Sequence, residues 1–190
     1  MQKKNWRLPK KTFFFHFDEC ELLNLVSKKR QQFQEIIDYH NDILIALFEN
    51  EKHPVFQKVK GLIEQVQGFL AWNKSPKYSF VYDQVVGYGE LISTTILSTY
   101  FSEVGIKNKW LDVRDYIKTD DSYREGSVNW DATQKNIAEN IDQSCLNITQ
   151  GFLGSDDNNF TTTLGREGSD YTAAIFAYCL NAASVTIWKD

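Results

Sequence analysis

Apolar residues recur with a helical period through the first half of the chain and lose that period after about residue 105. Across Glu21–Phe48 the apolar set is Leu22, Leu25, Val26, Phe33, Ile36, Ile37, Leu44 and Leu47, the stripe of an amphipathic helix. A break in it is expected near Lys29–Arg30. His53-Pro54 reads as a turn, Val55–Trp72 as a second amphipathic helix and Ser75-Pro76 as another turn. A third helix is expected over about Tyr82–Val104, with Val85, Ile92, Ile96 and Tyr100 on its apolar face and Gly105 as its stop. Gly87 and Gly89 lie inside it, where each costs about 1 kcal/mol relative to alanine. Two explanations stay open: a kink or close helix packing, or a ligand approaching the backbone beside Glu90.

Beyond Lys107 the segments shorten. Lys109–Val113 and Tyr116–Ile117 are strand candidates, Asp131–Asp142 is a polar helix, and Cys145–Phe152 reads as a strand ending at Gly151. Asp156–Thr163 combines turn residues with β-prone ones, which suggests a hairpin or flap. Ser169–Leu180 reads as a helix capped by Ser169 or Asp170, and Val185–Trp188 as a final strand. Strands alternating with helices imply an α/β fold with a parallel sheet, whose ligands gather at the carboxyl ends of the strands. Tyr171–Trp188 is long and mostly apolar, but Asn181, Ser184 and Thr186 interrupt it, which favours a buried helix and strand over a membrane span.

At 190 residues the chain is one domain by length, and its net charge of −4 argues against a nucleic-acid surface. Lys3, Lys4, Arg7, Lys10 and Lys11 make residues 1–20 a basic tail. Cys20, Cys145 and Cys179 are odd in number and without metal-ligand spacing, as expected of reduced, mostly buried thiols in a cytoplasmic protein. His16, His40 and His53 have no partners at metal or triad spacing and are expected at the surface.

Chemistry concentrates in Thr161–Ala174, TTTLGREGSDYTAA. A hydroxyl cluster, a Gly-flanked Arg166 and a Gly-Ser-Asp turn precede an apolar helical run. A turn of this kind presents backbone N–H groups and a positive helix end to an anion, and Arg166 adds a forked cation suited to carboxylate or phosphate. Glu90, after Gly87-Tyr88-Gly89, is a candidate for a substrate ammonium group or a solvated helix residue. Lys118-Thr119-Asp120-Asp121 is a binding loop or a polar turn. No Walker A, Rossmann or nucleophile-elbow motif occurs.

Val86–Ser93 (VGYGELIS), Gly105–Asp121, Ile148–Ser155 (ITQGFLGS), Thr161–Ala174 and Val185–Asp190 (VTIWKD) together resemble the aspartokinases, in that family's order and spacing. The resemblance covers about Gln31–Asp190 and is strongest from Tyr82 onward. It implies a three-layer α/β/α sandwich of the amino-acid kinase type, with 21–104 as a helical part and 105–190 as an α/β part of an incomplete catalytic domain. It further implies that Glu90 binds the amino group of L-aspartate and Arg166 its carboxylate. Ser169 and Asp170 would line the same pocket, Asp170 organising the cationic groups around the transferring phosphoryl. Gly151 and Phe152 would lie between the two substrates, and Lys189 and Asp190 at the nucleotide. The implied cosubstrate is ATP, with Mg2+ held through its phosphates, and the implied parent is a homo-oligomer. The family's opening Lys-Phe-Gly-Gly-Thr-Ser turn has no counterpart in Met1–Cys20, and the chain stops at Asp190, so a piece of a catalytic domain with little activity alone is expected. A non-catalytic aspartate-binding remnant, or a kinase for another amino acid, are the competing expectations.

Overall fold

A computed structural model describes the backbone of residues 21–188 and the side chains of residues 33–188. The expectations for residues 1–20, including His16 and Cys20, and for Lys189 and Asp190 lie outside the described residues, as do the side chains of Leu22, Leu25 and Val26.

Three helices open the chain: α1 (Glu21–Leu47), α2 (Pro54–Trp72) and α3 (Tyr78–Glu103). α1 runs without the expected break at Lys29–Arg30. Ser27–Gln32 holds no Gly or Pro and is mostly Lys, Arg and Gln, which are good helix formers, so a lapse in apolar phase does not end the helix. α2 starts at Pro54, whose missing N–H is no loss in a first turn. His53 caps it: Nδ1 accepts from Val55 N at 3.2 Å, while Nε2 meets Glu103 Oε1 at 2.7 Å. His53 is therefore a fastener between α2 and the end of α3 rather than a plain surface residue. α3 begins four residues ahead of the expected Tyr82. It ends in a Schellman motif, with Gly105 at φ +83° and Ile106 N donating to Phe101 O at 2.8 Å. Leu44, Phe48, Val55, Val59, Ile63, Ile92 and Ile96 form the core of this helical layer.

The α/β part follows with β1 (Asn108–Leu111), α4 (Val113–Tyr116), α5 (Trp130–Asn140), β2 (Leu146–Thr149), β3 (Leu153–Ser155), β4 (Thr161–Thr163) and α6 (Gly168–Cys179). β1 and β2 pair in parallel with Trp110 opposite Ile148, while β3 and β4 form an antiparallel hairpin with Gly154 opposite Thr162. The hairpin expected over Asp156–Thr163 is present. The strand expected over Cys145–Phe152 is present as the shorter β2, which stops at Thr149, and a turn through Gly151-Phe152, with Phe152 at φ +72°, leads into β3. Tyr116–Ile117 is not a strand. Asp112 Oδ1 accepts from Arg114 N at 3.1 Å and caps the short helix α4, and Ile117 is that helix's C-cap. Val113, Ile117, Ile137, Leu153, Leu164 and Ile175 pack a second core between the hairpin and helices α4, α5 and α6.

Two expectations at the C-terminal end fail. α6 is preceded by Glu167 in the left-handed region at φ 56°, so neither Ser169 nor Asp170 is its cap. Val185–Trp188 has no paired strand among the described residues and is exposed, Trp188 by 92%. An extended segment becomes a strand only when a neighbour takes its backbone hydrogen bonds, and none is present beside it. Cys145 and Cys179 are half-buried rather than mostly buried.

Candidate active site

The site is assembled around the end of β2. Gly151 is the second residue past that strand, and a Cβ placed on it would stand 2.8 Å from Ser169 Cβ and Oγ. One on Gly168 would stand 2.7 Å from Phe152 Cδ2. Only the absence of two side chains lets the β2–β3 turn touch the first turn of α6. Phe152 N donates to Thr172 Oγ1 at 2.9 Å and fastens the same contact one turn further along. The structure therefore brings Gly151, Phe152 and Ser169 together, with Asp170 on the adjoining helical turn.

Glu90 joins this corner through a relay. Thr94 Oγ1 donates to Glu90 O at 2.7 Å and accepts from Gln150 Nε2 at 2.8 Å and Trp110 Nε1 at 3.0 Å. Gln150, fully buried, uses its Oε1 to take Val113 N at 2.8 Å, which fixes which end of its amide faces Thr94. The main chain of Glu90 is thus two hydrogen bonds from the residue before Gly151. Its half-buried carboxylate has no hydrogen bond or ion pair among the described residues, and burial alone holds its pKa above the ordinary 4.5. A desolvated carboxylate without a partner is a site for a cation.

Arg166 sits on the turn between β4 and α6, exposed, after Gly165 at φ +76°. Glu167 makes no side-chain capping bond, so α6 keeps its first-turn N–H groups uncapped by that side chain. An exposed guanidinium beside a helix start suits an anion. Among the described residues no group of His, Cys, Asp and Glu is arranged to hold a metal ion.

The hydroxyls of Thr161, Thr162 and Thr163 do not line this corner. All three residues are buried and spoken for: Thr161 Oγ1 accepts from Arg114 Nη1 at 3.1 Å, Thr162 Oγ1 pairs with Thr119 Oγ1 at 2.7 Å, and Thr163 Oγ1 donates to Asp83 Oδ1 at 3.0 Å. Lys118 likewise turns inward, its Nζ donating to Arg114 O at 3.0 Å and Ser155 Oγ at 2.9 Å. Sequence reasoning placed Gln150 at a strand's carboxyl end without its bonding role, and missed Asp83, Gln84 and Arg114. They stand in ordinary amphipathic or strand-end context, and their partners lie 37 to 80 residues away for Asp83, Gln84 and Gln150.

A strand-end glycine turn, a glycine-flanked arginine before a helix and an unpaired helix carboxylate are the chief features of this region. A family model for the amino acid kinase family matches residues 22–190, and the chain belongs to that family. It is 32% identical over 162 residues to lysine-sensitive aspartokinase 3 of Escherichia coli, covering 82% of this chain and 36% of that protein. It is 35% identical over 191 residues to an aspartokinase of Chlamydia pneumoniae, covering 90% of this chain and 43% of the relative. The crystal structure of E. coli aspartokinase III with aspartate and ADP superposes with a TM-score of 0.80 at 29% identity, over 90% of this chain and 40% of that one. An aspartate kinase of Clostridium acetobutylicum, at 22% identity and a TM-score of 0.64, shares the fold. The α/β fold is accordingly that of the amino-acid kinases, and the chain spans less than half the length of each of these relatives.

Proposed function

We propose that this chain carries the aspartate-binding part of an aspartate kinase. The reaction is transfer of the γ-phosphoryl of Mg-ATP to the side-chain carboxylate of L-aspartate, giving 4-phospho-L-aspartate, the first step of lysine, threonine and methionine biosynthesis. The observation that carries this reading is the unpaired, partly desolvated carboxylate of Glu90, on a residue whose main-chain oxygen is tied through Thr94 and Gln150 to the Gly151 corner. In it, Glu90 takes the substrate ammonium, Arg166 its carboxylate, and Ser169 lines the pocket. Asp170 organises the cations at the transferring group, while Gly151 and Phe152 lie between the substrates. Lys189 and Asp190 are assigned to the nucleotide from the sequence alone. A carboxylate nucleophile is already ionised at neutral pH, so positioning and charge neutralisation supply the catalysis and no strong base is required. Mg2+ would arrive with the nucleotide phosphates. We assign the parent enzyme to the cytoplasm, as a homo-oligomer.

A second reading for the isolated chain is binding of aspartate without turnover. Calorimetry with L-aspartate and then ATP, beside a coupled ADP-release assay on the 190-residue chain, tests both. Aspartate binding with negligible ADP release is the expected result. No heat with aspartate overturns the site assignment, and turnover at ordinary kinase rates overturns the binding-only reading. Arg166→Ala, in this chain or a full-length parent, is expected to weaken aspartate roughly ten- to hundredfold, the range for a charge-assisted pair. An equal loss for ATP would move Arg166 to the other substrate.

A further inference from the structure

Asp83 is fully buried on α3 and accepts from three donors that belong to two other segments. Thr163 N at 2.9 Å and Arg124 N at 2.8 Å both reach Oδ2, and Thr163 Oγ1 at 3.0 Å reaches Oδ1. Next to it, Gln84 grips the main chain of Thr161 at both ends, accepting from N at 3.0 Å and donating to O at 2.7 Å. The donors are themselves linked, since Gly126 N donates to Thr163 O at 2.8 Å. A Cβ on Gly165 would lie 3.3 Å from Arg124 O, so the loop held by Asp83 also backs the turn that carries Arg166. Arg124 takes φ +77°, an uncommon value for a residue other than glycine, to point its N–H at the carboxylate.

Along α3, Glu90 comes seven residues after Asp83, two helical turns or about 10 Å. Along the other segment, Arg166 comes three residues after Thr163. We propose that Asp83 is a positioning residue that fixes the separation of Glu90 and Arg166 by clamping α3 to the end of β4 and to the 122–126 loop. This rests on the functional reading above for what those two side chains grip. The clamp itself is a matter of geometry, and it works through acceptor placement rather than charge. Both oxygens face donors that would serve an amide equally well, because an asparagine oxygen at Oδ2 takes both N–H groups and its NH2 can donate to the Thr163 hydroxyl.

Asp83→Ala and Asp83→Asn in the complete 190-residue chain separate the possibilities. Amide hydrogen exchange across residues 161–169 is expected to speed up roughly tenfold or more in the alanine variant, while amides of α2 keep their rates. The asparagine variant is expected to stay within about threefold of the parent chain. Aspartate affinity by calorimetry is expected to fall roughly tenfold with alanine and to be restored by asparagine. Unchanged exchange over 161–169 in a folded alanine variant, or an asparagine variant that behaves like alanine, overturns the clamp. Faster exchange with unaltered aspartate affinity overturns its role in positioning. Should Asp83→Ala not fold, Thr163→Val removes one donor at near-constant volume. Exchange over 163–169 should then rise roughly three- to tenfold, and no rise overturns the proposal. Failure of the parent chain to bind aspartate at all would refute the functional reading alone, since the exchange comparison uses no ligand.

Discussion

At Glu90 the requirements of stability and of binding pull apart. Its pKa is raised by burial, so the folded state favours the neutral acid. For a carboxyl with a raised folded pKa, the stabilising contribution is fully present below the ordinary 4.5 and is lost as pH rises through the raised value. At neutral pH the charge is therefore a burden on the fold. Glu90→Gln should raise the melting temperature at pH 7, flatten the decline of stability as pH rises above the ordinary 4.5, and weaken aspartate binding. Thermal melts between pH 4 and 8, beside calorimetry, check this. A variant that melts lower at pH 7 would mean that an undetected cation holds Glu90. The role expected for Glu90 comes from the resemblance, since its place after Gly87-Tyr88-Gly89 leaves a solvated helix residue equally open, and the missing partner was not legible at all, because it depends on which side chains elsewhere fail to reach it.

Among the elements, α3 shows most plainly what a linear pattern reveals. Its apolar face was correctly expected, and Val85, Ile92 and Ile96 are buried. The two glycines within it were ambiguous as sequence and are distinct as structure. A Cβ on Gly87 would stand 3.0 Å from both Leu153 methyls, whereas one on Gly89 meets nothing within 4 Å. Gly87 is thus a packing glycine where α3 crosses β3, and Gly89 faces open space beside Glu90. Gly87→Ala should destabilise by roughly 1–3 kcal/mol through overpacking. Gly89→Ala should be neutral or stabilising by up to about 1 kcal/mol. Denaturant titrations of the two variants measure both, and equal effects would refute the distinction. The helices were legible because their period, prolines and glycine stops are local. The strands were less so: β3 and β4 are three residues each, defined by their partner rather than by themselves. Val185–Trp188 shows the converse, β-prone residues with nothing to pair. The Thr161–Thr163 hydroxyls were placed in the site by composition, yet the hairpin turns them to Arg114, Thr119 and Asp83.

At the scale of the molecule, two hydrophobic cores among the described residues are joined by α3. Ile92 and Ile96 of α3 belong to the helical core, while Asp83 and Gln84 of the same helix bind the hairpin of the α/β part. A shared rigid element makes it costly to unfold either part alone. Val59→Ala in one core and Ile137→Ala in the other should each lower the midpoint of the same single transition, at a cost of roughly 1–4 kcal/mol. Far-ultraviolet dichroism and tryptophan fluorescence should trace coincident curves. Separate midpoints would mean that the halves fold independently.

The Thr94 hydroxyl carries one more consequence. Among the described tryptophans, Trp72, Trp130 and Trp188 are exposed, and Trp110 alone is sheltered with its indole N–H bound to that hydroxyl. The shortest-wavelength part of the emission spectrum should therefore come from Trp110. Aspartate held at Glu90 is expected to shift that emission through the Thr94 relay; a fluorescence titration without an attached dye checks it, and an unchanged spectrum at saturation would refute the coupling.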